Sequence, residues 1–243
     1  MTNKKILVSG CSYSIDGNNT EYGSILKNNY NMNVEVVAVA GQSNASITKK
    51  IYDDINIHKR KDTLFICQLT HTHRWGTYHS FYNCWLDYQP NIINHISHYI
   101  ETEGREDVKY DKNEIIINSG YDIPIRKIDA GDKEYKDLKR MYDTYLMYVY
   151  DEKEHFKHLL FSVDTLRSYV ESTGNKIVFI YWPDIKDSKE LSKRNFFNID
   201  GEYSMLKWSV KNKYIIPDTH LNDEGHIVLG GVLYDYITKH III

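Results

Sequence analysis

Cysteine is scarce in this chain: Cys11, Cys67 and Cys84 are three in 243 residues. An odd number without metal-type spacing argues against a disulfide framework or a thiolate metal site, and for buried free thiols in a reducing compartment. Excess charge is missing too. Thirty Lys and Arg face 33 Asp and Glu, for a net charge of −3. That balance gives no electrostatic footprint for nucleic acid or an anionic membrane. The one basic run, Lys59 to Lys61, reads as a solvated helix end. No stretch nears the roughly 18 apolar residues of a membrane span. "MTNKK" is followed by only "ILV" before "SGCSYS", so no signal peptide is expected and the cytoplasm is the expected location. No Gly-Lys-Ser/Thr follows "GCSYSIDG", which excludes a phosphate-binding P-loop there, and the dinucleotide-binding G-x-G-x-x-G is absent. Repeats, low-complexity runs and flexible linkers are lacking, so residues 1–243 are expected to form one domain.

The apolar share is 42 %, enough for a full core. "KKILVSG" reads as a buried parallel strand, "NTEYGSILKNNY" as a short helix, and "VEVVAVAG", Val34 to Gly41, as a second strand. In "SNASITKKIYDDINIHK" the residues Ile47, Ile51 and Ile55 recur at helical spacing behind a Ser or Asn cap. "DTLFICQLT", Asp62 to Thr70, is a third strand. This β-α-β-α-β order predicts a parallel sheet with helices on its faces. From about residue 71 to 133 the pattern dissolves into an irregular, aromatic-rich insertion that contains "IIINSGYDIPI" and reads as small local elements, a hairpin among the options. Helical periodicity returns from Tyr135 to Ser172, in a first stripe through Leu138, Met141, Tyr142, Tyr145, Leu146 and Val149 and a second through Phe156, Leu159, Leu160, Val163, Leu166 and Val170. "DEKE" between the stripes is either a break or an exposed turn. "KIVFIYW" is a fourth strand, and "YIIPDTHLNDEGHIVLGGVLYDYITKH" is a loop leading into a terminal helix.

Ligands of doubly wound sheets bind at the carboxyl ends of the strands. Small and polar residues gather at those ends here, in "GCSYS", "GQSN", "QLTHTHRW", "WPD" and "PDTHLN". Nucleophilic hydrolysis needs a hydroxyl, a base, a group that orients the base, and donors for an oxyanion. Ser12 stands where the first strand ends. Asp218 and His220, two residues apart, can lie on one side of an extended loop, so the carboxylate can fix the imidazole tautomer. Gly41 ends the second strand, where a missing side chain lets a substrate approach the backbone N–H. Ser14 reads as a turn residue satisfying backbone groups, and His226 as a helix-face residue.

The order of these blocks resembles the SGNH (GDSL-type) hydrolases. "GCSYS" resembles the first block with Ser12 as nucleophile, "AGQSNASI" the second with Gly41, and "DTHLNDEGH" the last with Asp218, His220 and Gly225. The resemblance implies a single-domain three-layer α/β sandwich with a parallel, flavodoxin-like sheet of about five strands. It implies serine-dependent ester hydrolysis or acyl transfer without a cofactor, on a small or carbohydrate ester. The oxyanion hole would comprise the Ser12 backbone and Gly41. Two departures stand out. The third block, "QLTHTH", has no asparagine where the family places its side-chain donor; Thr70 holds about that position, and Asn44 is the alternative. The Asp/His spacing is one residue shorter than the common form, which "DEGH", Asp223 to His226, would restore from inside the last helix.

Other readings stay open. The same fold with a decayed third block would be a non-catalytic binding module. "HTH", His71 to His73, with His79, His95 and His98 near in sequence, allows a metal-dependent hydrolase, although no Cys or carboxylate completes a known ligand spacing. Arg74 suits a substrate carboxylate or phosphate, or a structural ion pair. Trp75, Tyr78, Phe81, Tyr82 and Trp85 suit a substrate wall or a core. The sequence is silent on acyl group and oligomeric state.

Overall fold

The computed structural model describes residues 4–11, 14, 21–38, 42–72, 75–79, 84–90, 114–119, 126–129, 133, 140, 144, 147–185, 188–216 and 220–241; for the strands within 75–129 it describes the backbone alone. Four parallel strands form the central sheet: β1 (Lys5–Ser9), β2 (Asn33–Val36), β3 (Leu64–Leu69) and β8 (Lys176–Tyr181), in the order β2-β1-β3-β8. Ile6 of β1 stands beside Val34 on one side and Leu64 on the other, and Leu64 stands beside Lys176. All six residues of β3 are buried, as expected of a strand covered on both faces.

Helices α1 (Tyr22–Asn28) and α6 (Asp223–His240) pack together, as do α2 (Asn44–His58) and α3 (Glu152–Ser172). The chain steps outward from β1 to β2, then crosses back over β1 to β3. Right-handed crossovers therefore place α1 on one face of the sheet and α2 with α3 on the other. Side-chain caps set the helix starts. Ser43 accepts from the Ser46 N–H (3.3 Å), Asp151 from Glu154 (2.8 Å) and Asn222 from Gly225 (2.8 Å). "DEKE" is thus a helix start with Asp151 as its cap. The stripe behind it, Leu159, Leu160, Val163, Leu166 and Val170, is buried. Leu138, Met141, Tyr142, Tyr145 and Leu146 of the other stripe lie outside the described residues; Val149, expected on the same buried stripe, is exposed, at a turn just before the Asp151 cap.

Two features differ from expectation. The sheet has four strands among the described residues, not about five. The open side of β8 is met by an irregular segment instead: the Phe197 N–H donates to the Phe179 carbonyl (2.9 Å), and Tyr181 forms a single parallel bridge with Ser204. Positive φ at Asn195, Asp200 and Gly201 keeps that segment from extending into a strand. It also carries two short helices, α4 (Lys189–Lys193) and α5 (Met205–Lys211), too short for periodicity to announce. The second difference is at 71–133, which reads as irregular. Four strands there pair antiparallel in chain order: β4 (Trp75–His79), β5 (Cys84–Pro90), β6 (Glu114–Ser119) and β7 (Arg126–Asp129). β6 pairs with β7, Glu114 beside Asp129 and Ile117 beside Arg126. The β5–β6 pairing joins strands far apart in the chain, so no short turn signals it. No helix among the described residues is long and apolar enough to cross a membrane.

Candidate active site

The strand order reverses between β1 and β3, and the crevice beyond their carboxyl ends is where sheets of this topology bind ligands. Ser9, the last residue of β1, donates its hydroxyl to the Ile47 carbonyl of α2 (3.0 Å). Beyond it, the Ser14 N–H donates to the Cys11 carbonyl (2.9 Å). Ser12 itself lies outside the described residues, but Cys11 before it and Ser14 two residues after it are both held.

The hold comes from one side chain of β3. Gln68 Oε1 accepts from the Ser14 hydroxyl (2.8 Å) and from the Cys11 thiol (3.6 Å). Its Nε2 donates to the Leu69 carbonyl (2.9 Å), which fixes the orientation of the amide. Since Ser14 gives its only proton to Gln68, the 2.7 Å contact with Tyr22 has the phenol as donor. Tyr22, Ser14, Cys11 and Gln68 are all buried. Burial pushes the Tyr22 hydroxyl above its ordinary pKa, so it remains a donor. A β-carbon on Gly10 would come within 2.5 Å of the Ser14 Oγ, so the network needs glycine before the turn.

Two residues on, at the end of β3, Thr70 is fully buried. Its N–H donates to Asn44 Oδ1 (2.8 Å) and its carbonyl accepts from Asn44 Nδ2 (2.9 Å). Asn44, expected as an amide donor to the site, spends its amide on the main chain of Thr70 instead. Helix α2 is capped by the neighbouring Ser43. The Thr70 hydroxyl, by contrast, has no hydrogen-bond partner among the described residues. Buried polar groups are nearly always satisfied, and an exception calls for an explanation such as a ligand or catalytic role. Just beyond, Thr72 Oγ1 and the Tyr150 hydroxyl meet at 2.8 Å, tying the loop after β3 to the start of α3.

The last loop is pinched at its base. The Ile216 N–H donates to the His220 carbonyl (2.8 Å), and Ile215 pairs with Leu221. Asn222, the α6 cap, follows directly. A β-carbon on Gly225 would strike Tyr214, at 2.7 Å from its Cβ and 2.9 Å from its carbonyl, so glycine lets the loop close onto the helix. His220 is half-buried beside this pinch. His226 points elsewhere: its Nδ1 accepts the Tyr22 N–H at the start of α1 (3.3 Å), and its ring stacks on Tyr22. Burial lowers its pKa to about 4; Glu21 opposes this, His220 adds to it and Asp223 opposes it. His226 is therefore a neutral acceptor that docks α1 on α6.

Of the expected site residues, Ser12, Gly41, Asp218 and Arg74 lie outside the described residues, as does the side chain of Trp75. Asn44 and Thr70 meet directly, and the flanks of Ser12 join them through β3. His73, His95 and His98 also lie outside, and His79 is described in backbone alone. Among the described residues no three His, Cys, Asp or Glu are grouped to hold a metal ion. Gln68 and Tyr22 carry no motif. The one available signal is a glutamine inside the otherwise apolar strand "LFICQL".

No protein-family profile matches the chain, and no curated protein matches it. Several solved structures are similar to it. One is a Desulfitobacterium hafniense protein assigned to the G-D-S-L lipolytic family, at 8 % identity and TM-score 0.46, covering 96 % of this chain and 99 % of that one. Another is the YxiM protein of Bacillus subtilis, at 11 % identity and TM-score 0.45; all of this chain is covered, and it spans 58 % of that protein. A third is a family 3 carbohydrate esterase of Clostridium thermocellum, at 11 % identity and TM-score 0.32, with 97 % and 95 % covered.

Proposed function

We propose that this protein is a serine-dependent ester hydrolase or acyl transferase working through an acyl-enzyme. The observation that carries the reading is the buried Thr70 hydroxyl without a partner, at the carboxyl end of the strand beside β1. A hydroxyl donor held there by its own main chain suits an oxyanion forming above Ser12.

In this reading His220 takes the Ser12 proton as Ser12 Oγ attacks the ester carbonyl. Asp218 orients His220 and stabilises the imidazolium. The Ser12 and Gly41 backbone N–H groups and the Thr70 hydroxyl bind the oxyanion. Asn44 holds Thr70 in place. The alcohol leaves with the proton from His220, and water or an acceptor alcohol then releases the acyl group. Arg74 and the aromatic residues from Trp75 onward would meet the substrate, a small or carbohydrate ester. The free, buried thiols of Cys11 and Cys67 suit a reducing compartment, where we place the protein.

The test is hydrolysis of p-nitrophenyl acetate together with labelling by a fluorophosphonate. Wild type should label at Ser12 alone, and Ser12→Ala should lose hydrolysis while unfolding at the wild-type temperature. Labelling at Ser14 would overturn the choice of nucleophile. An inactive, unlabelled wild type would favour the non-catalytic binding module, and activity lost to a chelator would favour the metal reading.

A further inference from the structure

We infer that Gln68 is a positioning residue that sets Ser12 for attack, acting on it through Cys11 and Ser14, which bracket it in the chain. This inference rests on the serine reading above. The described residues on either side of Ser12 and Tyr13 are joined by one main-chain bond, from the Ser14 N–H to the Cys11 carbonyl. Both closing residues send a side-chain proton to the same acceptor, Gln68 Oε1. The acceptor sits on the central strand β3, whose Ser9-facing partner is Cys67, one residue before Gln68. Its amide cannot turn over without losing the Leu69 carbonyl. A turn at a strand end would ordinarily be free to rock. Here its two ends are anchored to one atom of a fully buried strand two residues from Thr70. The nucleophile and the proposed oxyanion donor are thereby referenced to β3 and the residue that directly follows it.

A neutral amide suits this task. A carboxylate at the same place would be buried without a counter-charge, and a hydrocarbon would leave the Ser14 hydroxyl and Cys11 thiol without an acceptor. The glutamine does not contact the reacting atoms, so its effect must appear as misplacement. A displacement of about 1 Å can cost roughly 10²-fold in rate.

Gln68→Met is the direct test, with kcat, KM, fluorophosphonate labelling rate and hydrogen exchange of the Ser14 amide measured together. The expected result is kcat and labelling lowered roughly 10²-fold, KM little changed, and faster exchange at Ser14. Ser14→Ala, a smaller change, should shift the same quantities in the same direction. Gln68→Glu should come nearest to wild-type kcat, measured at the same pH, at the acid end of the assay range, where its protonated carboxyl accepts from Ser14 and donates to Leu69; the comparison at equal pH removes the loss that wild type shares as its histidine base is protonated. It should lose activity as pH rises, because burial raises the pKa of that carboxyl only so far. Wild-type kcat and labelling in folded Gln68→Met, or wild-type exchange at Ser14, would overturn the inference. Exchange needs no turnover. Faster Ser14 exchange in a protein that never labels at Ser12 would sink the serine reading and, with it, the catalytic role of Gln68, while leaving the anchoring of the turn shown.

Discussion

Asn44 and Thr70 hold each other by two hydrogen bonds, one in each direction, between a side-chain amide and a main chain 26 residues away. The pair joins the first residue of α2 to the end of β3, and it leaves the threonine hydroxyl as the unsatisfied group. Removing each partner should therefore do different things. Thr70→Val replaces an orphaned buried hydroxyl with a methyl of similar shape, which is neutral or stabilising for folding. It should lower kcat by roughly 10²-fold with KM little changed. Urea unfolding beside steady-state kinetics checks this; an unimpaired kcat would remove Thr70 from the oxyanion hole.

Asn44→Ala strands the Thr70 N–H and carbonyl together. Stability should fall by about 2 to 3 kcal/mol, and kcat should fall as well because the hydroxyl is no longer held. The urea midpoint is the readout that separates the two substitutions. A catalytic loss in Asn44→Ala without a stability loss would mean that the amide serves the substrate directly.

His226 should make the fold acid-sensitive. Its folded pKa of about 4 lies below the ordinary value of 6.5, so the unfolded chain binds the extra proton between those limits. The stabilisation is complete above about pH 6.5 and is lost as pH falls toward 4, to a total of about 3 kcal/mol. His226→Phe keeps the stacking on Tyr22 but cannot titrate. It should be less stable at pH 7, since the Tyr22 N–H loses its acceptor, and should show a flatter stability curve between pH 6.5 and 5. Equal slopes in variant and wild type would refute the assignment.

Asn175, at the opposite end of the sheet, is the control. Its Oδ1 accepts from the Thr63 N–H (3.0 Å), and its Nδ2 donates to the Arg60 carbonyl and to Thr173 Oγ1 (both 2.9 Å). Every polar atom of that side chain is employed within the fold. Asn175→Ala should cost about 2 to 3 kcal/mol while leaving kcat of the folded protein unchanged. A specific loss of activity, measured well below the unfolding temperature, would show that the two ends of the sheet are coupled.

Local pattern was enough for much of this protein. The alternation of short β-branched runs with helical spacings announced β1, α1, β2, α2 and β3, because strand and helix periods are properties of neighbouring residues. The stripe Leu159, Leu160, Val163, Leu166 and Val170 announced α3 for the same reason, and the small polar residues at strand ends pointed to the edge at which we propose the site. The antiparallel pairing within 71–133 and the irregular segment along the edge of β8 were not legible. Strand pairing is a choice among distant segments, and the edge of β8 is taken by residues whose positive φ no local pattern displays. The decisive contacts at the site are of the same kind. Gln68 reaches Ser14 across 54 residues and Asn44 reaches Thr70 across 26. Only the parallel register of β1 beside β3, together with the crossover that lays α2 over them, brings those amides within hydrogen-bond distance and decides that one anchors a turn while the other frees a hydroxyl.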